Sequence, residues 1–291
     1  PRGEHHVHAA VHFCAQAHIV PFIIRGPRSW VSAWIADIFA DQIADNGRDT
    51  GGRQGPLDAE KENTRMRLTE GQIKYFQDFG FLRFDGLLSD RIDGIVEGFE
   101  RVWRDYGGGH GGRTHDQERS SALMPFIDRD EYMSTLIDDE RIDGIAASIL
   151  GDDYNYMGSD GNYYVGDTPW HSDVYIDKKK YMSVKMGFYL DPVDPETGCL
   201  RVIPGSHKVG DVFAESLHAA APNSKSNIIE DTWDIHGSQV PALALPVKPG
   251  DLLMFNHATK HASFGGGTRR RMFTINLQPR HADEDLQLIR D

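Results

Sequence analysis

The chain has 291 residues and a formal net charge of −13, from 31 Lys plus Arg against 44 Asp plus Glu. This acidic balance argues against a nucleic-acid or anionic-membrane partner, because both bind through basic patches. Only two cysteines occur, Cys14 and Cys199, which excludes a disulfide framework and a Cys-based zinc cluster. No apolar run reaches the roughly 18 residues that span a bilayer, so the composition predicts a cytoplasmic globular protein.

Residues 1–65 differ in composition from the rest of the chain. Ser29 could cap a helix with apolar positions at helical spacing, and the polar, Gly-rich stretch 45–56 is typical of a linker. We therefore expect a poorly ordered or helical extension over residues 1–65 and a folded domain over residues 66–291.

The folded domain begins with helix signals. Thr69 followed by Gln72 is a capping-box pattern, and Gly80 is a typical stop for the helix between them. Residues 81–84 form a short apolar strand pattern, and Ser89 precedes a second amphipathic helix. The glycine-rich segment 106–121 predicts a loop, and 141–150 predicts a third helix.

From residue 154 onward the pattern changes to short strands between turns. Helices first and many strands afterwards predict a helical layer packed on an antiparallel sandwich or barrel. The segment 211–235 is assigned to a loop. The predicted strands are 154–156, 162–165, 181–190, 200–203, 242–247, 252–255 and 271–277.

His171 and Asp173 are the first candidates for chemistry. Side chains two residues apart in a strand point the same way, so this imidazole and carboxylate can converge on one ion. They form two-thirds of a facial triad, and a second imidazole would complete it while leaving three positions open for oxygen chemistry at iron. His257 and His261, which both follow the strand 252–255, are the candidates for that third ligand.

Three consecutive arginines precede the last strand. A fixed guanidinium could bind a carboxylate with two parallel hydrogen bonds. Strand alternation puts Arg270 on one face and Arg269 with Arg271 on the other, so only one of these faces can line a site. The direction of Lys185, inside the strand 181–190, stays open, toward the barrel interior or toward water.

These motifs together resemble the phytanoyl-CoA dioxygenase family of iron(II)- and 2-oxoglutarate-dependent oxygenases, over about residues 66–289. The resemblance implies a mainly β fold with flanking helices, the double-stranded β-helix or jelly roll. Met272 departs from the family, which has a small residue there. The motifs that carry the resemblance are Trp170-His171-Ser172-Asp173, the segment 198–208 with Pro204-Gly205-Ser206-His207, Pro249-Gly250-Asp251, His261-Ala262-Ser263 and Arg270-Arg271-Met272.

The resemblance also implies roles for individual residues. His171, Asp173 and His261 would bind Fe(II), while Arg270 and Ser263 would hold the C5 carboxylate of 2-oxoglutarate. With O₂ as the other cosubstrate, the expected activity is hydroxylation, or another halide-free oxidation, of a C–H bond in a small organic substrate, with release of succinate and CO₂.

Two alternatives belong to other functional classes. One is a non-catalytic jelly-roll protein that binds a metal or ligand, and the other is a cupin-type isomerase. The sequence determines neither the substrate, including whether it is a CoA thioester, nor the oligomeric state.

Overall fold

The computed structural model describes residues 66–106, 119–174, 182–220, 228–267 and 270–282. The predicted extension over residues 1–65 and most of the predicted loop 106–121 lie outside these ranges. Within them, no helix combines the length and apolarity that crossing a bilayer requires.

Most helices lie early in the chain, where the helix signals are concentrated. The side chain of Thr69 accepts a hydrogen bond from the backbone N–H of Gln72, whose own side chain accepts one from the Thr69 N–H. Gly80 ends this first helix at a φ of 83°, a left-handed conformation that favours glycine. The helices are α1 Glu70–Phe79, α2 Ile92–Tyr106, α3 Glu131–Ser134, α4 Glu140–Leu150, α5 Val212–Ala220 and α6 Ile228–Trp233, with short 3₁₀ turns at Ile127–Arg129 and Gly237–Gln239.

Within the described ranges, ten strands form two antiparallel sheets. The large sheet has the order β1-β8-β5-β10-β3-β2, and the small sheet has the order β4-β9-β6-β7. The strands are β1 Phe81–Phe84, β2 Ser121–Leu123, β3 Asn155–Tyr164, β4 Thr168–His171, β5 Val184–Tyr189, β6 Leu200–Val202, β7 Leu243–Leu245, β8 Leu252–Asn256, β9 His261–Ser263 and β10 Arg270–Gln278.

The large sheet carries the main hydrophobic core on its helix-covered face. Side chains from α2 and α4 pack there against alternate residues of β5, β8 and β10, and Phe188 and Phe273 stack at 4.7 Å between ring centroids. Because successive strand residues point to opposite faces, the intervening residues face the small sheet. The residues that β5, β8 and β10 contribute to this core are Val184, Met186, Phe188, Leu252, Met254, Phe273, Ile275 and Leu277.

Two predictions about this region are wrong. The predicted strands 154–156 and 162–165 are one strand, β3, because the long strand β10 pairs along its whole length and absorbs an irregularity between Asn276 and Leu277. The predicted loop 211–235 contains α5 and α6, which bury Leu217 and Ile229 against Trp170 of β4 and Phe264, the residue after β9.

Candidate active site

Two histidines that lie 90 positions apart in the sequence meet through strand pairing. β4 and β9 are neighbours in the small sheet, and their register places His171 directly opposite His261. The two imidazole rings lie 4.1 Å apart between centroids. The pairing of β4 with β9 therefore brings these two candidate metal ligands together.

Asp173 reaches the same point by a different route from the one predicted. β4 ends at His171, so strand alternation does not aim the carboxylate. A bend does this instead: the backbone N–H of Asp173 donates to the carbonyl of His257 at 2.9 Å, and the hydroxyl of Ser172 donates to the carbonyl of Ala258 at 3.1 Å. The turn after β8 thus fixes the position of Asp173.

The ligand atoms of His171, Asp173 and His261 all lie within 4.8 Å of one another. Nδ1 of His171 lies 2.8 Å from the carbonyl of Pro169, and Nδ1 of His261 lies 2.9 Å from the carbonyl of Thr259. A carbonyl oxygen only accepts hydrogen bonds, so each Nδ1 carries the proton and each Nε2 keeps its lone pair. This is the tautomer that a metal-binding imidazole needs.

The electrostatics of the site suit a divalent cation. Burial, together with the neighbouring His171 ring, lowers the pKa of His261 to about 3, and burial also lowers the pKa of His171. Burial alone would raise the pKa of Asp173, but His261 and the ammonium of Lys185 hold that pKa below its ordinary value. At neutral pH the set therefore offers two neutral imidazoles and one carboxylate, the ionisation states that coordinate iron.

The carboxylate of Asp173 has two oxygens in different surroundings. Oδ1 forms an ion pair with Nζ of Lys185 at 3.0 Å. Oδ2 is buried, lies 3.9 Å from Nε2 of His261, and has no hydrogen-bond partner among the described residues. A buried carboxylate oxygen without a donor is costly unless a cation faces it, so the residues fit a metal ion bound here.

Arg270 lies elsewhere in the same cavity and is 3% exposed. Its Nη1 donates to the carbonyl of Gly198 at 2.8 Å and to the hydroxyl of Ser263 at 2.5 Å, and its guanidinium lies 5.2 Å from the ring centroid of Tyr164. No described carboxylate forms an ion pair with it. A buried guanidinium with only neutral partners is suited to an anionic ligand.

Gly198 makes room for this arginine. Its φ is 92°, and a Cβ at this position would overlap Nη1 of Arg270. The glycine of the turn before β6 is therefore required by both the backbone conformation and the close approach of the guanidinium.

Arg271 points to the opposite face of β10. Its guanidinium forms ion pairs at 2.6 Å with Glu100 of α2 and with Asp191. The Arg271–Glu100 ion pair links α2 to the large sheet, and the side chain of Arg271 does not line the cavity. Arg269 lies outside the described residues.

The cavity between the two sheets has a volume of about 90 Å³. Apolar walls come from both sheets, including Leu200, Leu253 and Phe255. One wall is polar: Asp160 accepts hydrogen bonds from Thr274, from Asn162 at 2.5 Å and from Asn276 at 3.4 Å. The cavity thus joins the His/Asp set, the buried guanidinium and a polar wall.

Other candidates from the sequence lie outside this set. His257 is buried next to the site, where its backbone holds Asp173, but its ring is not part of the converging group. His207 lies 3.1 Å from the carbonyl of Gln77 through its Nε2 and packs beside Gly80. Trp170 is buried and donates to the carbonyl of Gly237. These positions fit packing roles.

Sequence reasoning missed several cavity residues. Asp160, Tyr164 and Tyr189 line the cavity, and burial raises the pKa of Tyr189 to about 12, so its hydroxyl stays protonated at neutral pH. Alternation along β10, counted from Arg270, would have pointed to Thr274. The position of Asp160 on the neighbouring strand β3 has no comparable local signal.

The sequence model described as phytanoyl-CoA dioxygenase (PhyH) matches residues 76–272. No curated protein sequence matches the chain significantly. The family match confirms the resemblance that the motifs predict.

Solved structures share the fold at low sequence identity. The carbocyclase SnoK from nogalamycin biosynthesis, described as non-heme and α-ketoglutarate-dependent, is 18% identical with a TM-score of 0.56, covering 79% of this chain and 92% of its own. HygX from Streptomyces hygroscopicus, solved with nickel and 2-oxoglutarate, is 19% identical with a TM-score of 0.57, covering 73% and 87%. EctD from S. alaskensis, solved with 2-oxoglutarate and 5-hydroxyectoine, is 22% identical with a TM-score of 0.54, covering 73% and 76%.

These similarities confirm the predicted jelly roll with flanking helices. The predicted cofactors, Fe(II) with 2-oxoglutarate, are confirmed at the level of the family and its solved relatives. The assignment of individual residues to iron and to 2-oxoglutarate stays a prediction.

Proposed function

The chain belongs to the phytanoyl-CoA dioxygenase family, and from this premise we propose that it is an Fe(II)- and 2-oxoglutarate-dependent hydroxylase of a small organic substrate. His171, Asp173 and His261 hold the iron in this proposal, and Arg270 with Ser263 holds 2-oxoglutarate. Bound iron supplies the oxidative decarboxylation of 2-oxoglutarate by O₂, which yields succinate, CO₂ and the oxidising power for a substrate C–H bond.

One observation carries the proposal. Two imidazole Nε2 atoms with available lone pairs and a carboxylate oxygen without a described hydrogen-bond partner converge inside a cavity. The same cavity contains a guanidinium whose described partners are all neutral. Two imidazoles and one carboxylate are the ligand set of iron oxygenases that keep three positions open. Burying these polar and charged groups away from water costs stability unless a ligand binds them. Their burial therefore favours a ligand-binding site over an inert jelly-roll protein.

The chain's own residues contribute binding, orientation and exclusion of water. The guanidinium of Arg270 provides donors for the far carboxylate of 2-oxoglutarate. The hydroxyl of Ser263, which accepts from Arg270 and donates to the carbonyl of Gly198 at 2.8 Å, would turn to donate to the same carboxylate. The apolar walls formed by Leu253 and Phe255 keep bulk water from the reacting centre. If iron binds one end of 2-oxoglutarate and Arg270 binds the other, the cosubstrate is held in one orientation, which lowers the entropic cost of its reaction with O₂.

The presence of Asp173 and the polar wall refine the proposal. A carboxylate at this position fills the place that a halide would need, which favours hydroxylation or another halide-free oxidation. The wall of Asp160, Thr274 and Asn276 offers hydrogen-bonding groups beside the apolar walls. We infer a compact substrate with at least one polar group, since the buried Oδ1 of Asn276 has no hydrogen-bond partner among the described residues and an unbranched acyl chain would offer it no donor.

The test is succinate formation from 2-oxoglutarate with anaerobically loaded Fe(II), then O₂ and ascorbate, across a panel of small polar metabolites. Stimulated decarboxylation by at least one compound, with incorporation of oxygen from isotopically labelled O₂ into the product, supports hydroxylation. The Asp173→Ala variant is the control and should yield no succinate above background.

Two results would contradict the proposal in different ways. Wild-type protein that binds no iron and forms no succinate would favour a non-catalytic binding protein. A product that forms with succinate but gains no oxygen would identify a ring closure or epimerisation, reactions named for solved relatives of this fold.

A further inference from the structure

Lys185 places its ammonium group in contact with the carboxylate of the His/Asp set. It is the second residue of β5, opposite Phe255 of β8 and Asn276 of β10. Its inward direction is set by strand alternation, because Val184 and Met186 face the helix-side core. The side chain is 18% exposed, and Nζ lies 3.0 Å from Oδ1 of Asp173.

This contact gives the two carboxylate oxygens of Asp173 different surroundings. Oδ1 is occupied by the ammonium, whereas Oδ2 faces Nε2 of His261 and has no described donor. A carboxylate can bind a metal through one oxygen or through both. An ammonium that occupies one oxygen disfavours the second mode, because a cation in the same place would have to displace it against charge repulsion.

We propose that Lys185 is a positioning residue that keeps Asp173 a one-oxygen ligand, with Oδ2 bound to iron. The consequence is in the number of open positions. Two histidines and one oxygen leave three of six octahedral positions open, two for 2-oxoglutarate and one for O₂. A second oxygen from Asp173 would occupy one of these positions and compete with 2-oxoglutarate. This inference rests on the proposed iron centre and adds a residue to it.

The experiment uses the full chain loaded with Co(II) under anaerobic conditions, since the visible spectrum of Co(II) reports its coordination number. Lys185→Met removes the ammonium and keeps the length of the side chain, while Lys185→Arg keeps the positive charge. Lys208→Met is the matched control, because Lys208 forms a 3.2 Å ion pair with Asp78 outside the cavity and its side chain is 50% exposed.

We expect the Co(II) spectrum of Lys185→Met to differ from that of the wild type before 2-oxoglutarate is added. We also expect its Kd for 2-oxoglutarate to rise about tenfold, the lower end of the effect of losing a group that orients a metal ligand. Lys185→Arg should restore most of both properties, and Lys208→Met should match the wild type. Lys185→Gln, measured in the same way, provides an intermediate case if Lys185→Met folds poorly in thermal melts.

Wild-type spectra and wild-type 2-oxoglutarate affinity in both Lys185→Met and Lys185→Gln would overturn the inference and leave the iron centre intact. Weaker 2-oxoglutarate binding with an unchanged Co(II) spectrum would also overturn it, because Lys185 would then contact the cosubstrate itself. A wild-type protein that binds no Co(II) would overturn the proposed iron centre, and the inference with it.

Discussion

The two faces of the large sheet are built from the same strands but serve different purposes. On the helix side, β5 and β10 contribute Met186, Phe188, Phe273 and Ile275 to one continuous apolar core. On the cavity side, the residues between them include Lys185, Arg270 and Thr274. Neighbouring residues such as Arg270 and Arg271 therefore meet different environments, one a cavity and the other an ion pair with Glu100 and Asp191.

The helix side of the large sheet stabilises the fold, whereas the cavity side lowers its stability. Burying apolar side chains stabilises the fold by about 25 cal/mol per Å², and the helix side does little else. The cavity side keeps a guanidinium and carboxylates away from water, which costs stability unless a ligand pairs with them. Substitutions on the two faces should consequently separate folding from chemistry.

The largest expected effect is on the metal ligands. Asp173→Ala should reduce succinate formation to background, because it removes the only carboxylate of the converging set. His261→Ala should do the same, whereas His257→Ala should cause a much smaller loss, since its ring is not in that set. Anaerobic Fe(II) titration and single-turnover assays measure both effects. A larger loss for His257→Ala than for His261→Ala would move the third ligand to His257.

The next largest effect is a loss of folding stability when a buried residue on the helix side of the large sheet is replaced. Phe273 is fully buried and stacks on Phe188, so Phe273→Ala should lower the free energy of unfolding by about 3–5 kcal/mol. Met272→Ala, one residue away on the cavity side, should lower it clearly less. Urea unfolding of both variants tests this. Equal losses would show that the two faces contribute alike to stability.

A smaller effect concerns cosubstrate binding on the cavity side. Arg270→Lys keeps the charge but loses the planar fork, and a hydrogen bond to a charged group contributes about 1.5–3 kcal/mol. The KM for 2-oxoglutarate should therefore rise about 10- to 100-fold, while Fe(II) affinity changes little.

The matched variant for this position is Arg271→Lys. Its side chain pairs with Glu100 and Asp191 on the other face, so we expect it to change thermal stability and to leave the KM for 2-oxoglutarate near the wild-type value. A large rise in KM for Arg271→Lys and none for Arg270→Lys would place the cosubstrate on the helix-side face of β10 and contradict the role of Arg270.

The smallest expected effect is that of removing residues 1–65. The composition changes before Met66, and all the family-like motifs follow position 65. A chain that begins at Met66 should therefore fold and bind Fe(II) with unchanged affinity, as measured by circular dichroism and metal titration. Insoluble or metal-free protein would show that the extension contributes to the folded domain.

Much of the architecture could be predicted because its signals are local. The capping box at Thr69, the left-handed glycine at Gly80 and the amphipathic pattern of α2 each depend on a few neighbouring residues. Predictions from local signals were wrong where contact with a distant strand or sheet determines the secondary structure. β3 appears as two strands until β10 pairs along it, and α5 with α6 form because they bury Leu217 and Ile229 on the small sheet.

The sequence by itself determined the class of site, since His171, Asp173 and His261 in family-like spacing predict the ligand types, and a run of arginines predicts an anion partner. Only the tertiary structure decided how they meet. β4 must pair with β9 to bring the histidines together, and the turn at His257 must hold Asp173 beyond the end of its strand. The contact of Lys185 with Asp173 likewise depends on the packing of β5 opposite the small sheet. Such long-range distances arise from the pairing of whole strands, which no short stretch of sequence specifies.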